Sequence, residues 1–190
     1  MGTVLGISVW VIAAYHALAK RQTAVRSAYA AIDEQLKHRY DLVPSLVDTV
    51  LRGLDQERLA LETVVQARTS ALNARSVAAA HSSDPASIRS LADADAALSD
   101  AVEGLLALAR TRPDIQDREH LAEVAAELAV SELTIARARE RYNAAVIDYN
   151  DSIARFPAAL IASTFTFGAA PVLEMRRKKP TPAPADVAYS

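Results

Sequence analysis

Cysteine is absent from this chain and glycine is scarce, and each shortage excludes a class of functional site. Without cysteine there can be no disulfide, no thiolate metal site and no thiol nucleophile. Only 5 glycines occur, and no G-x-x-x-x-G-K motif that would cradle a phosphate. The formal net charge is −2, so the basic excess typical of nucleic-acid binding is missing. We therefore expect no cofactor and no nucleic acid among the partners.

The residues that are abundant favour helices. Alanine, leucine, glutamate and arginine dominate the sequence, and these residues have high intrinsic helix propensity. The apolar fraction of 51% is too high for a wholly disordered chain of 190 residues. The composition predicts an all-α protein with a real hydrophobic core.

The N-terminal segment is the longest run without Asp, Glu, Lys or Arg. Residues 2–19 supply 18 such positions, which is near the lower limit for a helix that crosses a bilayer. The cations Lys20, Arg21 and Arg26 follow directly. By the positive-inside rule they predict a transmembrane anchor over residues 1–20, with the N-terminus outside and the rest of the chain in the cytoplasm. The predicted location is a single-pass protein of the bacterial inner (cell) membrane.

A cleaved signal peptide is the alternative interpretation of this segment. Ala17 and Ala19 form the A-x-A pattern that cleavage sites use. No positive residue precedes the apolar run, however, as it would in a signal peptide. The sequence favours the anchor and leaves the alternative open.

Pro44 stands in the middle of a strong helical pattern, "QLKHRYDLVPSLV". Proline removes one helical hydrogen bond and its ring presses on the preceding turn. Apolar residues nevertheless keep one seven-residue phase on both sides of it, at Tyr29, Leu36, Val43 and Val50. We predict that Pro44 bends a continuing helix.

After Val50 the apolar ladder restarts at Leu54, shifted by four residues beside Gly53, and continues through Leu61, Val65 and Leu72. Such a shift is typical of a stutter in an unbroken coiled-coil helix. A turn at "LRGLDQ" that divides the segment into two helices is the alternative.

Two more ladders follow a predicted loop at "AHSSDPAS". One ladder runs through Leu91, Leu98 and Leu105. The other has the cleanest period: Leu121, Leu128, Ile135, Tyr142, Tyr149 and Phe156, with Pro157 after it. Together the ladders predict an elongated antiparallel bundle of three to four long helices over residues 21–157.

The C-terminal part divides in two. Residues 158–175 are mostly apolar but are interrupted by Gly168 and Pro171, so we expect them either on the membrane surface or packed on the bundle. Residues 176–190 begin with the basic run "RRKK" and end in a Pro/Ala-rich stretch typical of a disordered tail. The basic run could bind anionic lipid or simply be solvated.

The sequence contains no recognisable reaction centre. His38 and His120 lie near carboxylates but lack the Glu-x-x-His arrangement of di-metal helical bundles, so we predict neither a metal site nor a catalytic residue. Arg39 is unusual because it occupies a position where the ladder expects an apolar residue. Its guanidinium either reaches out to water or pairs with a carboxylate such as Glu132 or Asp148.

Several ordered motifs resemble those of the LemA family. They are "AIDEQLKHRYDLVPSLVDTV", "ETVVQAR", "RPDIQ" and "ARERYNAAVIDYNDSIARFPAALIA", placed after one hydrophobic helix. The positions that match the family motifs are Ile32, Asp33, Leu36, Arg39, Tyr40, Asp41, Pro44, Leu46, Val47, Arg139, Tyr142, Asn143, Val146, Tyr149, Asn150, Phe156 and Pro157.

The resemblance implies a membrane-anchored cytoplasmic helical bundle with its N-terminus outside and without an established catalytic site. A related branch includes a protein needed for magnetosome membrane formation, which implies a role in membrane organisation. The chain departs from the family at Leu133, where the family tends to carry asparagine. A binding site that depended on that asparagine would differ here.

The function that we expect is therefore a non-enzymatic, membrane-anchored helical scaffold. Its partners would be the lipid bilayer and either other proteins or further copies of itself, bound through the heptad faces. The alternative is a signalling or stress-response adaptor that couples membrane to cytoplasm through the helix bent at Pro44.

Overall fold

The structure is a computed structural model in which residues 2–51, 58–112, 117–155, 158–165 and 167–175 are described, with side chains described from Ser8 onward. These residues form five helices and no strand, so the predicted all-α class is confirmed. The helices are α1 (Gly2–Leu51), α2 (Arg58–Ala80), α3 (Pro85–Thr111), α4 (Arg118–Ala154) and α5 (Ala158–Thr164).

The four long helices pack as an antiparallel series in the spatial order α4, α1, α2, α3. The closest pairs are α1 with α4 and α2 with α3, and α1 also contacts α2. Arg21 Nε on α1 lies 2.9 Å from Asp148 Oδ2 on α4, and Ser45 Oγ lies 3.2 Å from His120 Nε2. Residue numbers thus rise along α1 as they fall along α4, which is an antiparallel packing. Because α3 and α4 make little backbone contact, a groove separates them.

The chain reverses direction between α1 and α2. Arg75 Nη2 on α2 donates to Asp33 Oδ2 on α1 at 2.9 Å, and Arg68 contacts Tyr40. These contacts require a return, so the predicted stutter in one unbroken helix is wrong and the two-helix alternative is confirmed. Gly53 and Leu54, where the turn was expected, lie outside the described residues.

Pro44 lies inside α1, which confirms that the helix continues through the proline. Proline has no N–H to bond the carbonyl oxygen of Tyr40, four residues earlier. Arg68 replaces that donor: its Nε donates to Tyr40 O at 2.7 Å. Arg68 on the neighbouring helix α2 thus bonds the Tyr40 carbonyl that Pro44 leaves without a helical donor. Buried backbone groups need such a partner, because an unpaired one costs free energy.

The hydrophobic core follows the predicted ladders closely. The described ladder residues that are buried are Tyr29, Leu36, Val43, Val50, Leu61, Leu91, Leu98, Leu105, Leu128, Ile135, Tyr142 and Tyr149. Val65 is an exception, because its side chain remains 51% exposed. On α2, Val64 and Ala71 are buried instead, one position before the ladder residues Val65 and Leu72.

The predicted loop before the second ladder is also confirmed. Asp84 caps α3 by accepting hydrogen bonds from the backbone N–H groups of Ala86 and Ser87, and Pro85 occupies the first turn. Ser, Thr, Asp or Asn at this position satisfies donors that a helix start leaves without partners.

The N-terminal segment continues into the bundle without a break, since α1 begins at Gly2. Among the residues that the structure describes, no helix is both long enough and apolar enough to cross a bilayer. The predicted transmembrane helix over residues 1–20 is therefore not supported by the structure.

The described part of residues 158–175 contacts the bundle. Ile161 and Ala162 of α5 are buried against Leu18 of α1. Residues 167–175 then run in extended form along α4, and Leu173 is completely buried in the main core. We call residues 167–175 the C-terminal strip. The predicted helix end at Phe156 and Pro157, like the tail at 176–190, lies outside the described residues.

Candidate functional site

Two asparagines of α4 hold the C-terminal strip by its backbone. Asn150 Nδ2 donates to Ala170 O at 2.9 Å, and its Oδ1 accepts from Ala170 N at 2.9 Å. Asn143 repeats this pair of bonds with Leu173, at 3.1 and 2.9 Å. Each asparagine therefore imitates a neighbouring β-strand by offering one donor and one acceptor to the same residue.

Two tyrosines beside the asparagines extend the same arrangement. Tyr149 Oη donates to Gly168 O at 3.0 Å, and Tyr142 Oη donates to Pro171 O at 2.7 Å. Both tyrosines are buried in the core, and their hydroxyls bond the strip. We call Tyr142, Asn143, Tyr149 and Asn150 the Tyr–Asn repeat.

The spacing of this repeat matches an extended chain. Seven residues of α-helix rise about 10.5 Å, and three residues of strand rise about 10.2 Å. The repeat advances seven positions along α4 while its backbone partners advance three, from Gly168 to Pro171 and from Ala170 to Leu173. The helix and the strip therefore stay in register without distortion of either.

The repeat stops where α4 no longer offers an amide. Seven residues before Asn143 stands Ala136, which has no side-chain donor or acceptor. Arg139 makes the last contact instead, with Nη1 donating to Met175 O at 3.3 Å. The strip is thus fixed from Gly168 to Met175, and it runs toward the N-terminus of α4.

Burial sets the ionisation of the tyrosines in the core. Burial raises the pKa of Tyr142 to about 12 and raises that of Tyr29 above its usual value, with further contributions from Asp33 and Tyr142. The two rings meet edge to face, with centroids 6.0 Å apart. Tyr142 therefore stays protonated at neutral pH, which it must be in order to donate to a carbonyl.

A second polar cluster is buried where α1 meets α3. Arg39 Nη1 lies 3.2 Å from Asp95 Oδ1, and its Nη2 donates to Ser99 Oγ at 2.7 Å. Tyr40 Oη donates to the same Asp95 oxygen at 3.0 Å. Burial raises the pKa of Asp95, while the Arg39 charge and the Tyr40 hydroxyl lower it. The cluster is an ion pair with its remaining hydrogen-bonding groups largely satisfied, as buried charges require.

Arg39 does pair with a carboxylate, as one of the two sequence alternatives expected, but not with either of the residues named there. Its guanidinium is buried instead of reaching water, and its partner is Asp95 on α3 instead of Glu132 or Asp148 on α4. Asp148 pairs with Arg21 at the exposed surface instead. Asp95, like Arg39, is a charged residue at a buried position, and buried charges need a partner of opposite sign.

The groove between α3 and α4 opens directly above this cluster. A cavity of about 720 Å³ is lined by Arg39, Asp95, Ser99, Glu103, Glu132 and Arg139, among others. Leu133, the departure from the family pattern, is exposed on the α4 wall, and Met175 also lines the cavity. Farther along the same groove a second cavity of about 380 Å³ lies between Ala109 and Leu121.

The described part of the chain contains no recognisable catalytic centre. No group of three or more His, Asp or Glu residues there could hold a metal ion. His120 contacts Ser45 Oγ at 3.2 Å and Glu123 Oε2 at 3.4 Å, at the bundle surface. What the arrangement does is hold a chain segment by its backbone on the Tyr–Asn repeat.

Most of the family-motif residues contact another helix or the C-terminal strip. Asp33 and Asp41 approach Arg75 and Arg68 of α2, while Arg139 and the Tyr–Asn repeat hold the C-terminal strip. Ile32, Leu36 and Tyr40 lie in the core. Of the predicted topology residues, Lys20 and Arg26 are exposed. Sequence reasoning missed Arg68, Arg75, Asp95 and the strip itself.

Residues 28–188 match the sequence model of the LemA family. The chain belongs to the LemA family. The matched range includes the residues of both polar arrangements described above. The first family motif contains Arg39, Tyr40 and Pro44, and the second contains the Tyr–Asn repeat. No curated protein matches the chain. In this LemA-family chain the motif residues thus serve to connect helices and to fix the C-terminal strip.

Proposed function

We propose that this LemA-family chain is a non-enzymatic helical scaffold that an apolar end holds at a membrane. The observation that carries the proposal is a set of exposed apolar side chains at one end of the bundle. On α1 these are Val9, Trp10 and Ile12, and on α5 and just after it they are Leu160 and Phe165.

The two helices that carry most of these side chains, α1 and α5, contact each other. Tyr15 of α1 packs edge to face on Phe165, with centroids 5.2 Å apart, and Leu18 packs on Ile161 just behind. Soluble proteins rarely expose apolar patches of this kind, and such patches mark contacts with membranes or other proteins. Trp and Tyr favour the membrane–water interface.

The adjacent charges favour the membrane over a protein partner. Lys20 and Arg26 are exposed on α1 about two to four helical turns after Ile12, and cations near a bilayer surface attract anionic headgroups. In this proposal the bundle lies on the cytoplasmic side of the inner membrane, with these cations toward the anionic headgroups of that surface.

Vesicle flotation of the full-length protein tests the membrane part of the proposal. Val9→Asp places a charge in the proposed contact surface and should reduce the membrane-bound fraction. Val130→Asp is the matched control, because Val9 and Val130 are 65% and 63% exposed and Val130 lies on α4 away from that end. Equal flotation of both variants would contradict the proposal.

The scaffold part needs a measurement of assembly. The mass of the full-length protein in a mild detergent or a nanodisc should correspond to more than one copy, or partner proteins should co-purify with it. A strict monomer without partners would contradict a scaffold role while leaving membrane attachment intact.

A further inference from the structure

The hydrogen bonds between α4 and the C-terminal strip all end on the backbone of the strip. Asn150 and Asn143 each bond both the N–H and the carbonyl of one strip residue, Ala170 and Leu173 respectively. The other bonds that α4 makes to the described strip end on carbonyl oxygens, those of Gly168, Pro171 and Met175. None of these bonds depends on the side chain that the strip residue carries.

The composition of the strip agrees with recognition through the backbone. Pro171 has no N–H, and α4 bonds only its carbonyl, so the proline removes no hydrogen bond with α4. Of residues 167–175, only Leu173 has a completely buried side chain, whereas Gly168, Ala169, Val172 and Glu174 are exposed. In strand-like peptide recognition, backbone bonds supply affinity and side-chain pockets supply specificity. The Tyr–Asn repeat therefore fits an extended segment with one apolar side chain at the position of Leu173.

We propose that the Tyr–Asn repeat also binds residues 167–175 of a second copy of the chain, in exchange with its own strip. A second copy is the favoured occupant because it carries the identical segment, so every contact of the site is made again after the exchange. Exchange of an identical element between two chains is a low-cost route to association.

The tether decides when the exchange occurs. A chain's own strip has the advantage of high effective concentration, so a second copy competes only where copies are crowded together, as on a shared membrane surface. The inference names the contact between copies in the scaffold proposed above and rests on that proposal for its biological role. The binding itself can be measured without a membrane.

Peptide binding tests the site. The receptor is the full-length Leu173→Asp variant in an uncharged detergent, because burying an unpaired carboxylate is costly and the strip should leave the intact Tyr–Asn repeat. The probe is a fluorescent peptide with the sequence of residues 167–175, "FGAAPVLEM". N-methylation at the Leu173 position removes the N–H that donates to Asn143 Oδ1. This change should weaken binding about tenfold, the effect of losing one hydrogen bond.

N-methylation at the Val172 position is the matched control. Val172 is exposed, and its N–H donates to no group in the described part of the chain. The control peptide should bind within about twofold of the unmodified peptide, because no hydrogen bond is lost. Equal losses of affinity from the two methyl groups, or no binding of the unmodified peptide, would overturn the proposal.

Exchange in the wild-type protein tests the occupant and does not depend on the Leu173→Asp variant. Two full-length preparations with different affinity tags are mixed at high concentration in a mild detergent, and capture through one tag should recover both. Excess peptide should dissociate the mixed complexes, whereas the peptide N-methylated at Leu173 should not.

Two results of this mixing experiment would overturn the inference. Mixed complexes that the peptide leaves intact would show that copies associate through another surface, and the scaffold proposal would then stand without strip exchange. Absence of mixed complexes would exclude a second copy as the occupant, and the scaffold would then depend on co-purifying partner proteins alone.

Discussion

Replacing Arg68 should destabilise the protein only while Pro44 is present. Pro44 leaves the Tyr40 carbonyl without a helical donor, and Arg68 Nε supplies the bond at 2.7 Å. With alanine at position 44 a backbone N–H returns and can bond the Tyr40 carbonyl within α1. The two substitutions should therefore be coupled, and a double-mutant cycle measures that coupling.

The magnitude follows from the geometry of the contact. A hydrogen bond from a charged donor contributes about 1.5–3 kcal/mol. The second contact of Arg68, Nη2 to Asp41 Oδ1, is long at 3.9 Å and exposed, so it adds less than about 1 kcal/mol. We expect Arg68→Met to lower the free energy of unfolding by about 2 kcal/mol with proline and by under about 1 kcal/mol with alanine.

Urea unfolding of the full chain in a mild detergent, followed by circular dichroism, gives the four free energies of the cycle. Arg75→Met serves as the control, because Arg75 binds the Asp33 carboxylate one heptad away and should lose the same energy in both backgrounds. Additivity of Arg68→Met and Pro44→Ala within about 0.5 kcal/mol would refute the reasoning.

Three further predictions concern the polar clusters. Asn143→Ala should raise the hydrogen-exchange rate of the Leu173 amide by tenfold or more. Loss of one hydrogen bond worth about 1–1.5 kcal/mol already raises the population of the open strip about tenfold. Asp95→Ala should lower the free energy of unfolding by about 3–5 kcal/mol, because it leaves the Arg39 cation buried and unpaired. The raised pKa of Tyr142, about 12, contributes stability below its unfolded pKa of about 10, and that contribution is lost as pH rises between the two values. Tyr142→Phe should therefore lose less stability than the wild type over that alkaline range.

Each of these has a comparison that could contradict it. Asn73→Ala, an exposed change on α2, should leave Leu173 exchange unaltered, and equal effects of the two asparagine variants would contradict the role of the repeat. Replacing Arg39 and Asp95 together by leucine should recover most of the loss, as for other buried pairs. If Tyr142→Phe lost stability at the wild-type rate between about pH 10 and 12, the pKa argument would fail.

The helices and their buried faces could be predicted from the sequence because the ladders repeat at a helical period. Tyr29, Leu36, Val43 and Val50 kept their phase across Pro44, and all four are buried. The reversal before α2 could not be predicted, because a four-residue shift in a ladder is the same whether a helix continues or a new one begins.

The site was only partly predictable. The tyrosines and asparagines of the repeat were identified from the family resemblance, but their common partner was not, because the strip is held by backbone groups that leave no pattern in residues 167–175. Asp95 did leave a signal: like Arg39, it places a charge at a core position of a ladder. Two such charges on different helices predict each other as partners.

The emission of Trp10 in lipid vesicles tests the proposed membrane attachment most directly. Trp10 is the single tryptophan of the chain and lies at the exposed apolar end of α1, so all tryptophan fluorescence reports on that end. We predict a blue-shifted emission that brominated lipids quench and aqueous iodide does not. Emission typical of water, quenched by iodide and indifferent to brominated lipid, would contradict the account.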